Sequence, residues 1–477
     1  MITGSEMAVV DANAAGLGVP QKQLMESSGS AVARQVKEMV DPGASVTVVC
    51  GRGNNGGDAF AGARFLSGYD VEVLLLGRAE TVTTDIAREN WEALLDSDIS
   101  AREVRDSTGV ALGEPDLFVD AMLGTGVSGR LREPAATAAD AMNDSDAPVL
   151  SVDVPSGLDG DAGDLAGNAV EADHVVTFHA TKPGLADLDA DVTVADIGIP
   201  DAAEAFTGPG DLLRLSRDPQ SHKGDHGEVL VVGGGPYAGA PALTAQAALR
   251  AGADLVRVAC PTGVAHEVQG YREDLIVRPV EGRQFEPGHV GRVLEFAEEQ
   301  DAIVVGPGLG DDPDSLEAAR ALLEGYSGTA VVDADALQVV PDLTTEADLV
   351  CTPHQGELVG MGGPRSDDWR ERRDLVAEFA ADLGHTLLVK GHYDVVSDGE
   401  RTRVNRTGNP GMTVGGTGDV LAGVTGALAA TQEPVDAAAI AAYANGRAGD
   451  IVVEEWGHGL LASDMVEAVP AAMRREE

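Results

Sequence analysis

The segment NPGMTVGGTGDVLAG, residues 409–423, sets several glycines before a single carboxylate, Asp419, and an apolar run that is typical of a helix. Glycines allow backbone N–H groups to approach an anion closely, and the following helix adds the positive end of its dipole. A bound phosphate would repel a carboxylate beside it, so this placement indicates a group that abstracts a proton. The alternative is a glycine-rich loop with an incidental capping aspartate.

Three segments of the first half run from an apolar strand into a polar, glycine-rich turn. They are VVCGRGNNGGDAFAGARFL at 48–66, FVDAMLGTGVSGR at 118–130 and SVDVPSGLDGDAG at 151–163. Exits of this kind from parallel strands converge at one edge of a sheet, where open α/β sheets bind nucleotides. For any one segment, a tight turn or a helix cap by Asp153 or Ser156 is the structural alternative.

Parallel strands must position these motifs, and the chain repeats the order of short apolar run and amphipathic helix. In the first half the predicted strands are 45–50, 71–77, 117–121, 149–153 and 174–178, and the predicted helices are 57–67 and 84–95. In the second half the predicted strands are 228–234, 254–259, 301–306, 329–335, 348–353 and 386–391, and the predicted helices are 240–251, 313–324, 368–383 and 417–430. This order predicts an α/β fold with parallel sheets that are covered on both faces. A chain of 477 residues is expected to form two domains, and the mixed composition of 199–219 places their boundary near 214, giving domains 1–214 and 215–477.

The net charge of the chain limits the partners that it is expected to bind and the compartment in which it is expected to work. It has 33 Lys and Arg against 79 Asp and Glu, a net charge of −46 at pH 7 and a pI near 4.3. Such a surface stays hydrated when salt screens charge strongly, which predicts a high-salt cytoplasm. No basic face is available for nucleic-acid phosphates. The N-terminus lacks the pattern of a secretory signal, and no apolar run approaches the roughly 20 residues that span a bilayer. We therefore expect a cytoplasmic protein with no nucleic-acid or membrane partner.

Lysine is scarce enough in this chain to be informative. Only five lysines occur, and Lys182, Lys223 and Lys390 fall in the glycine- or proline-marked segments TKPGL, SHKGDHG and LVKGH. The three cysteines end short apolar runs without metal-site or disulfide spacing, so burial at strand ends is predicted for Cys50, Cys260 and Cys351.

Four motifs of the first half together resemble the epimerase domain of the NAD(P)H-hydrate repair enzymes. They are GNNGGD, DAMLGTG, VDVPSGLDGD and TFHATKPGL, within residues 5–200. The resemblance implies a Rossmann-like doubly wound sheet that interconverts the R and S forms of hydrated NADH and NADPH (NADHX and NADPHX). It also implies a potassium ion held by Asn55, Asp120 and Ser156, with Asp153 as the catalytic candidate for proton handling. The residues implied to border the substrate are Asn54, Asn55, Gly56, Gly57, Asp58, Gly124, Thr125, Gly126, Val127, Ser128, Gly129, Arg130 and Asp153.

The second half resembles the ADP- or ATP-dependent dehydratase domain of the same enzymes, which has a ribokinase-like α/β fold. The motifs SHKGDHG, GGGPYAGAPAL, AALRAGADLV, GPGLG, TPHQGE, LVKGH and GGTGD carry the resemblance over residues 221–470. It implies that Asp419 deprotonates a hydroxyl while backbone amides stabilise the arriving phosphoryl group. The nucleotide would be ADP with magnesium. The residues implied to bind the nucleotide are Lys390, Gly391, Gly416, Thr417 and Gly418, and those implied to contact the hydrate are Ala240, Gly308, His354 and Asp419.

The implied overall function is the repair of damaged NAD(P)H. Phosphate from ADP would turn a poorly leaving hydroxyl group into a good leaving group, AMP and phosphate would be released, and the epimerase half would supply the epimer that fits. A homo-oligomer is expected because related domains commonly assemble, and the acidic composition indicates a halophilic archaeon. Two positions depart from the family pattern: Ala59 replaces a third glycine and could narrow the substrate approach, and Asp394 replaces a hydroxyl residue after the KG pair.

Two alternatives remain open from the residues. The first is a ribokinase-like kinase for a small alcohol or vitamin precursor, which would leave a stable phosphorylated product. The second is a nucleotide-binding or protein-interaction module, at least in the first half, which would bind ligand without exchanging epimers. His354 and Tyr237, considered without the family match, are typical of a structural histidine and a packing aromatic residue.

Overall fold

The computed structural model describes residues 1–126 and 129–475, which form two compact units, Met1–Ala203 and Glu204–Glu477. The division falls before the boundary placed near 214. The intervening residues join the second unit because their backbone pairs with its edge strand: Thr207 N donates to Val404 O at 2.9 Å. Arg403 also binds Asp211 through both an ion pair and a hydrogen bond of 3.0 Å. Among the described residues no helix has the length and apolar character needed to cross a membrane.

The first unit is a parallel sheet with helices packed against it. Within its described residues the strand order is β3-β2-β1-β4-β5-β6-β7, and every pairing is parallel. The strands are β1 Ser45–Cys50, β2 Asp70–Leu76, β3 Ser100–Val104, β4 Leu117–Ala121, β5 Val149–Val152, β6 His174–Phe178 and β7 Asp191–Ala195. The helices are α1 Gly4–Gly16, α2 Gln21–Met39, α3 Asn54–Arg64, α4 Asp85–Leu95 and α5 Ala135–Asn143. The predicted doubly wound α/β organisation is confirmed for this unit.

The order of the central strands sets where chemistry can occur in the first unit. β1, β4 and β5 are buried nearly throughout and lie side by side, because their apolar runs are covered on both faces. The chain reverses direction at β1, with β2 on one side and β4 on the other. A crevice opens at such a reversal, outside the carboxyl ends of the strands. The three polar strand exits therefore do lie at neighbouring positions along one edge.

The second unit contains a larger mixed sheet. The strand order among its described residues is β10-β9-β8-β11-β12-β13-β14-β15-β16, parallel up to β14 and antiparallel in the last two pairings. The strands are β8 Glu228–Val232, β9 Leu255–Pro261, β10 Ile276–Val280, β11 Ala302–Val305, β12 Thr329–Val332, β13 Asp348–Cys351, β14 Thr386–Val389, β15 Asp394–Ser397 and β16 Thr402–Asn405. The helices are α6 Ala202–Ala205, within which the two units divide, α7 Gly239–Ala251, α8 Thr262–Tyr271, α9 Val290–Ala297, α10 Pro313–Gly325, α11 Gln355–Gly360, α12 Trp369–Leu383, α13 Thr417–Ala429, α14 Pro434–Trp456 and α15 Ala462–Ala472.

The core of the second unit holds α13 rigidly beneath the glycine-rich segment. Ten of the thirteen residues of α13 are buried, from Val420 to Ala429. The helix approaches α7 closely: a Cβ atom on Gly423 would lie 2.1 Å from Thr244 O. Because an all-round apolar helix is stable only when it is buried, the N-terminus of α13 has a fixed position at the sheet edge. The cysteines are buried in or at the ends of β1, β9 and β13, as predicted.

Candidate active sites

Asp153 lies at the carboxyl end of β5 in an unusual backbone conformation. Its φ is +67°, a region that non-glycine residues rarely adopt and that is often found at functional positions. Oδ2 accepts hydrogen bonds from Thr125 N at 3.3 Å and Thr125 Oγ1 at 3.1 Å, and Oδ1 accepts one from Thr177 Oγ1 at 3.2 Å. Oδ1 also lies 3.2 Å from the Lys182 ammonium group. These donors fix the carboxylate beside the loop that follows β4 and contains Gly124 (the Gly124 loop).

The three residues of the predicted potassium site come together below the same loop. Asp120 Oδ1 accepts from Ser156 Oγ at 2.7 Å, and Ser156 Oγ accepts from Leu123 N at 2.9 Å. Asn55 Nδ2 donates to Leu123 O at 2.9 Å, which leaves Asn55 Oδ1 buried without a hydrogen-bond partner. Burial raises the pKa of Asp120, although hydrogen bonds from Ser156, Met122 and Ser151 oppose the shift. A buried carboxylate and an unpartnered amide oxygen are the ligands that a hard cation takes, so these residues fit such an ion.

The glycines in the first turn of α3 are required for close packing, in addition to any role in binding a ligand. A Cβ atom on Gly56 would lie 2.2 Å from Gly51 O, and one on Gly57 would lie 2.8 Å from Met25 Cε. Asn54 is exposed and its Oδ1 accepts from Thr84 Oγ1 at 2.7 Å. Ala59 is 1% exposed and packs in the hydrophobic core of the unit, so its methyl group offers almost no surface that could narrow the substrate approach. The narrowing expected from Ala59 is therefore wrong.

The remaining residues implied to border the first substrate lie on or after the Gly124 loop. Gly124 and Thr125 are half-buried beside Asp153, whereas Gly126, Gly129 and Arg130 are exposed. A Cβ atom on Gly126 would meet no atom of the described residues within 4 Å. Val127 and Ser128 lie outside the described residues. Asp58 lies in α3, and burial together with the carboxylates of Asp153 and Asp11 raises its pKa well above the usual value.

In the second unit the GGTGD segment forms the N-terminus of α13. Gly416 is the residue before the helix and has a φ of +98°, which glycine adopts without strain. Thr417 Oγ1 donates to Met412 O at 2.9 Å and thereby fixes the turn. Burial, with the nearby carboxylate of Asp333, raises the pKa of Asp419 to about 7, and Lys390 partly opposes this shift. Asp419 is thus a base poised near neutral pH at a helix N-terminus that can bind an anion.

Lys390 occupies the position directly after β14 and faces the same helix end. Its Nζ donates to Asp333 Oδ1 at 2.9 Å and lies 3.8 Å from Glu357 Oε2. A Cβ atom on Gly418 would lie 3.4 Å from this ammonium group. Burial opposes the charge of Lys390, but the carboxylates of Asp333, Glu357 and Asp419 outweigh it and raise the pKa of the lysine. The structure therefore brings Lys390, Gly418 and Asp419 together.

Asp333 is a site residue that the sequence reasoning missed. Its side chain is almost fully buried at the end of β12, and its Oδ1 accepts from Thr352 Oγ1 at 2.7 Å as well as from Lys390. The sequence signal was the first aspartate of TAVVDAD, which directly follows its strand as Asp153 does. Glu357, the glutamate of the TPHQGE motif, was missed as well: its carboxylate lies 3.6 Å from His354 Nε2 and 3.8 Å from Lys390 Nζ.

Ala240 and Gly308 lie close together, at the start of α7 and after β11, whereas His354 follows β13, which β12 separates from β11 in the sheet. A Cβ atom on Gly308 would lie 2.6 Å from Tyr237 O and 3.4 Å from Ala240 Cβ, so the two small residues adjoin. His354 precedes α11 and caps it, because its Nδ1 accepts from Gly356 N at 2.9 Å and Glu357 N at 3.1 Å. This contact gives His354 a structural role, as the alternative reading of the residue expected. Tyr237 is 63% exposed, so it is not the packing aromatic residue expected by default.

Asp394, which stands where the family pattern has a hydroxyl residue, has a structural role in the turn after Lys390. Its Oδ1 accepts from Gly391 N at 2.8 Å and its Oδ2 from Asn405 Nδ2 at 2.9 Å. Burial raises the pKa of Asp394 to about 6, against the effect of these hydrogen bonds and of Arg372 and Lys390. The carboxylate closes the turn that contains Gly391 instead of facing solvent. Among the described residues, no group of three or more His, Cys, Asp and Glu side chains is arranged to hold a metal ion.

Comparisons with known proteins identify both units. The chain matches a family model described as YjeF-related protein N-terminus over residues 21–184 and one described as NAD(P)H-hydrate dehydratase over residues 229–471. It is 43% identical to the bifunctional NAD(P)H-hydrate repair enzyme of Methanothermobacter thermautotrophicus, over 98% of this chain and 94% of that protein. It is 44% identical to the enzyme of the same name from Pyrobaculum aerophilum, over 99% of this chain and 98% of that protein.

A solved structure supports the assignment of the second unit. It is the ADP/ATP-dependent NAD(P)H-hydrate dehydratase from Bacillus subtilis, co-crystallised with ATP and Mg²⁺. The match has a TM-score of 0.50 and 25% sequence identity, and covers 56% of this chain and 97% of that one. The ribokinase-like fold predicted for this unit is confirmed.

Proposed function

Because the chain belongs to the family of bifunctional NAD(P)H-hydrate repair enzymes, we propose that its first unit exchanges the R and S epimers of hydrated NADH and NADPH and that its second unit dehydrates the S epimer. The substrates are therefore NADHX and NADPHX, with a nucleotide as phosphoryl donor. The observation that carries the dehydratase assignment is Asp419, a carboxyl with a pKa near 7 at the glycine-rich N-terminus of α13.

In the dehydratase reaction, the hydroxyl group on the hydrated ring is activated by phosphorylation. Asp419 takes the hydroxyl proton while the oxygen attacks the terminal phosphoryl group of the nucleotide, and AMP leaves when the donor is ADP. The amides of Gly416, Thr417 and Gly418, together with the Lys390 ammonium group, stabilise the charge on the phosphoryl group. Loss of phosphate and of a proton from the neighbouring ring carbon then restores the double bond of NAD(P)H.

The nucleotide and the hydrate occupy adjacent positions at the edge of the second sheet in this proposal. Lys390 and Gly391 contact the nucleotide phosphates, and Ala240, Gly308 and His354 border the hydrate. Magnesium bound to the phosphates would neutralise part of their charge, and Asp333 and Glu357 offer carboxylate oxygens of the kind that it prefers beside Lys390. The donor that we propose is ADP, one of the two nucleotides in the name of the Bacillus subtilis dehydratase.

In the epimerase reaction, the carbon that carries the hydroxyl group must be attacked from its other face. Water that adds to the electron-rich ring double bond ends on the carbon beside the ring nitrogen, since the nitrogen lone pair stabilises the cation formed there. Loss and re-addition of water at this carbon inverts it. Asp153 is the proton-handling group, and the substrate is bordered by the first turn of α3 and by residues 124–130. The strained φ of Asp153 and its four fixed donors support this role.

A potassium ion in the first unit would be held by Asn55, Asp120 and Ser156. The unpartnered Oδ1 of Asn55 and the buried charge of Asp120 support this proposal. When bound, the ion supplies positive charge beneath the loop that starts at Leu123. We also propose that the protein is a homo-oligomer, which light scattering on the purified chain tests directly.

The test of the dehydratase proposal offers purified S hydrate with magnesium and either ADP or ATP, and follows the absorbance of reduced nicotinamide. Recovery of NADH with ADP supports the proposal. Recovery with ATP but not with ADP would show that ATP is the phosphoryl donor instead. Phosphorylated hydrate that accumulates without NADH would favour a small-molecule kinase instead.

A further inference from the structure

The side chain of Tyr237 is largely exposed to water, although the backbone that carries it is closely packed. Tyr237 lies in the loop between β8 and α7, which packs on the loop that follows β11. A Cβ atom on Gly308 would lie 2.6 Å from Tyr237 O, and one on Gly310 would lie 2.9 Å from Pro236 Cγ. The two loops therefore meet at van der Waals distance, and the Tyr237 ring is carried by a backbone of fixed position.

In the part of the chain that the structure describes, the ring of Tyr237 has no internal role. It stacks on no other aromatic ring, and its hydroxyl group makes no hydrogen bond to another described residue. An aromatic ring offers a large apolar face and loses little conformational entropy when a ligand covers it. Its small neighbours, Ala240 and Gly308, border the hydrate in the proposed function. Tyr237 therefore has the character of a ligand-binding residue.

Helix α7 connects Tyr237 to the proposed base. Ala240 lies at the start of α7, and Leu243 follows it three residues later on the same face of the helix. A Cβ atom on Gly416 would lie 3.0 Å from Leu243 Cδ1 and 4.0 Å from Asp419 Oδ2. This face of α7 is therefore directed toward the N-terminus of α13. Tyr237 precedes the same end of α7, at the sheet edge where Asp419 lies.

The nucleotide phosphates approach Asp419 from another side. Lys390 directly follows β14, and a Cβ atom on Gly418 would lie 3.4 Å from its Nζ. The carboxyl ends of β8 and β14 are four strand spacings apart, roughly 19 Å. Asp419 thus has Lys390 on one side and α7 on the other. In the proposed reaction the phosphoryl donor occupies the side of Lys390, so the hydrated ring must occupy the side of α7 and Tyr237.

We propose that Tyr237 binds the hydrated nicotinamide ring by stacking on it, and thereby directs the carbon that carries the hydroxyl group toward Asp419. Hydration removes one of the two double bonds of the dihydronicotinamide ring and leaves the one conjugated with the carboxamide. This planar, conjugated part of the ring fits the face of an aromatic side chain. The inference rests on the proposed dehydratase function and names the residue that recognises the reacting ring.

The test measures dehydration of the S hydrate by the full chain at saturating ADP and magnesium. Tyr237→Ala is expected to lower kcat/KM for the hydrate about tenfold and to leave KM for ADP unchanged. Tyr237→Phe keeps the ring and should retain the wild-type value, whereas Tyr237→Leu, which is apolar but has no ring, should lose most of it. The matched control is Tyr271→Ala, a 55% exposed tyrosine at the end of α8, which should change neither constant.

A second substrate identifies the ring that Tyr237 contacts. The hydrate of reduced nicotinamide mononucleotide lacks the adenosine half, so Tyr237→Ala should lower its kcat/KM by the same factor. An effect that disappears with this substrate would place Tyr237 on the adenine ring and overturn the inference.

The remaining outcomes separate this inference from the function on which it rests. If the wild type dehydrates the hydrate and Tyr237→Ala or Tyr237→Leu does so with the same kcat/KM, stacking by Tyr237 is overturned. A KM for ADP that rises in Tyr237→Ala as much as the KM for the hydrate also overturns it. A wild type that dehydrates no hydrate with ADP or ATP overturns the proposed function itself.

Discussion

Asp419→Asn should abolish dehydration and at the same time stabilise the second unit. Burial and Asp333 raise the pKa of Asp419 from 3.8 to about 7, so the folded protein holds a carboxylate in an environment that disfavours its charge. Each pKa unit corresponds to about 1.4 kcal/mol, so the difference corresponds to up to about 4 kcal/mol. The asparagine variant does not carry this cost.

The sign of the effect fixes its pH dependence. The folded pKa lies above the unfolded value, so Asp419 binds its proton more tightly in the folded state. Its contribution to stability is therefore lost as pH rises from about 4 to about 7. The excess stability of Asp419→Asn should be about 1.7 kcal/mol near pH 5 and should grow to about 4 kcal/mol by pH 8. The rate of dehydration by the wild type should fall about fivefold when the pH is lowered from 7 to 6, because the base becomes protonated.

The assay combines denaturant unfolding in concentrated potassium chloride at several pH values with dehydration rates on the S hydrate. Asp382→Asn, an exposed carboxylate on α12, is the matched control and should change neither quantity. An Asp419→Asn variant that dehydrates the hydrate at the wild-type rate would refute the role of this base. A stability difference that does not change between pH 5 and pH 8 would refute the raised pKa.

Four further predictions concern the contacts of the two candidate sites and the net charge of the chain. Asp333→Asn should move the acid limb of dehydration to lower pH, because Asp333 raises the pKa of Asp419; a limb that stays in place would contradict this. Lys390→Met should weaken ADP binding in calorimetry by roughly tenfold or more and move the same limb to higher pH, since Lys390 lowers that pKa. Asn55→Leu should remove the dependence of epimerisation on potassium when sodium chloride replaces potassium chloride, and an unchanged dependence would exclude Asn55 as a ligand. With a net charge of −46, the thermal midpoint should fall when salt is diluted, and a flat response would argue against adaptation to high salt.

The sequence predicted the central strands well because they are buried on both faces. β1, β4 and β6 have the predicted bounds, since their apolar runs end at polar turns. The edge strands β3, β7 and β10 were missed because their partly exposed residues form no apolar run, as in SAREV of β3. The antiparallel pair β15 and β16 was missed as well, although Val395, Val396 and Val404 are fully buried.

For the candidate sites, residues within a motif could be predicted, whereas residues that reach a site from elsewhere in the chain could not. Asp153 and Asp419 stand out because glycines and a strand or helix end frame them in sequence. Asp11 lies in an alanine-rich helix with no local signal, and only the packing of α1 brings it to Asp153. Lys182 was noticed for its rarity, but its ion pair with Asp153 depends on the loop after β6, which no local pattern specifies.

The most direct test of the account supplies a mixture of R and S NADH hydrates to the full chain with magnesium and ADP in potassium chloride, and follows the return of reduced nicotinamide. The wild type should recover NADH from both epimers, and Asp153→Asn should recover only the S fraction and the part that exchanges spontaneously. Asp419→Asn should recover none. Recovery of both epimers by Asp153→Asn at the wild-type rate, or no recovery by the wild type with ADP or ATP, would contradict the assignment of the two units.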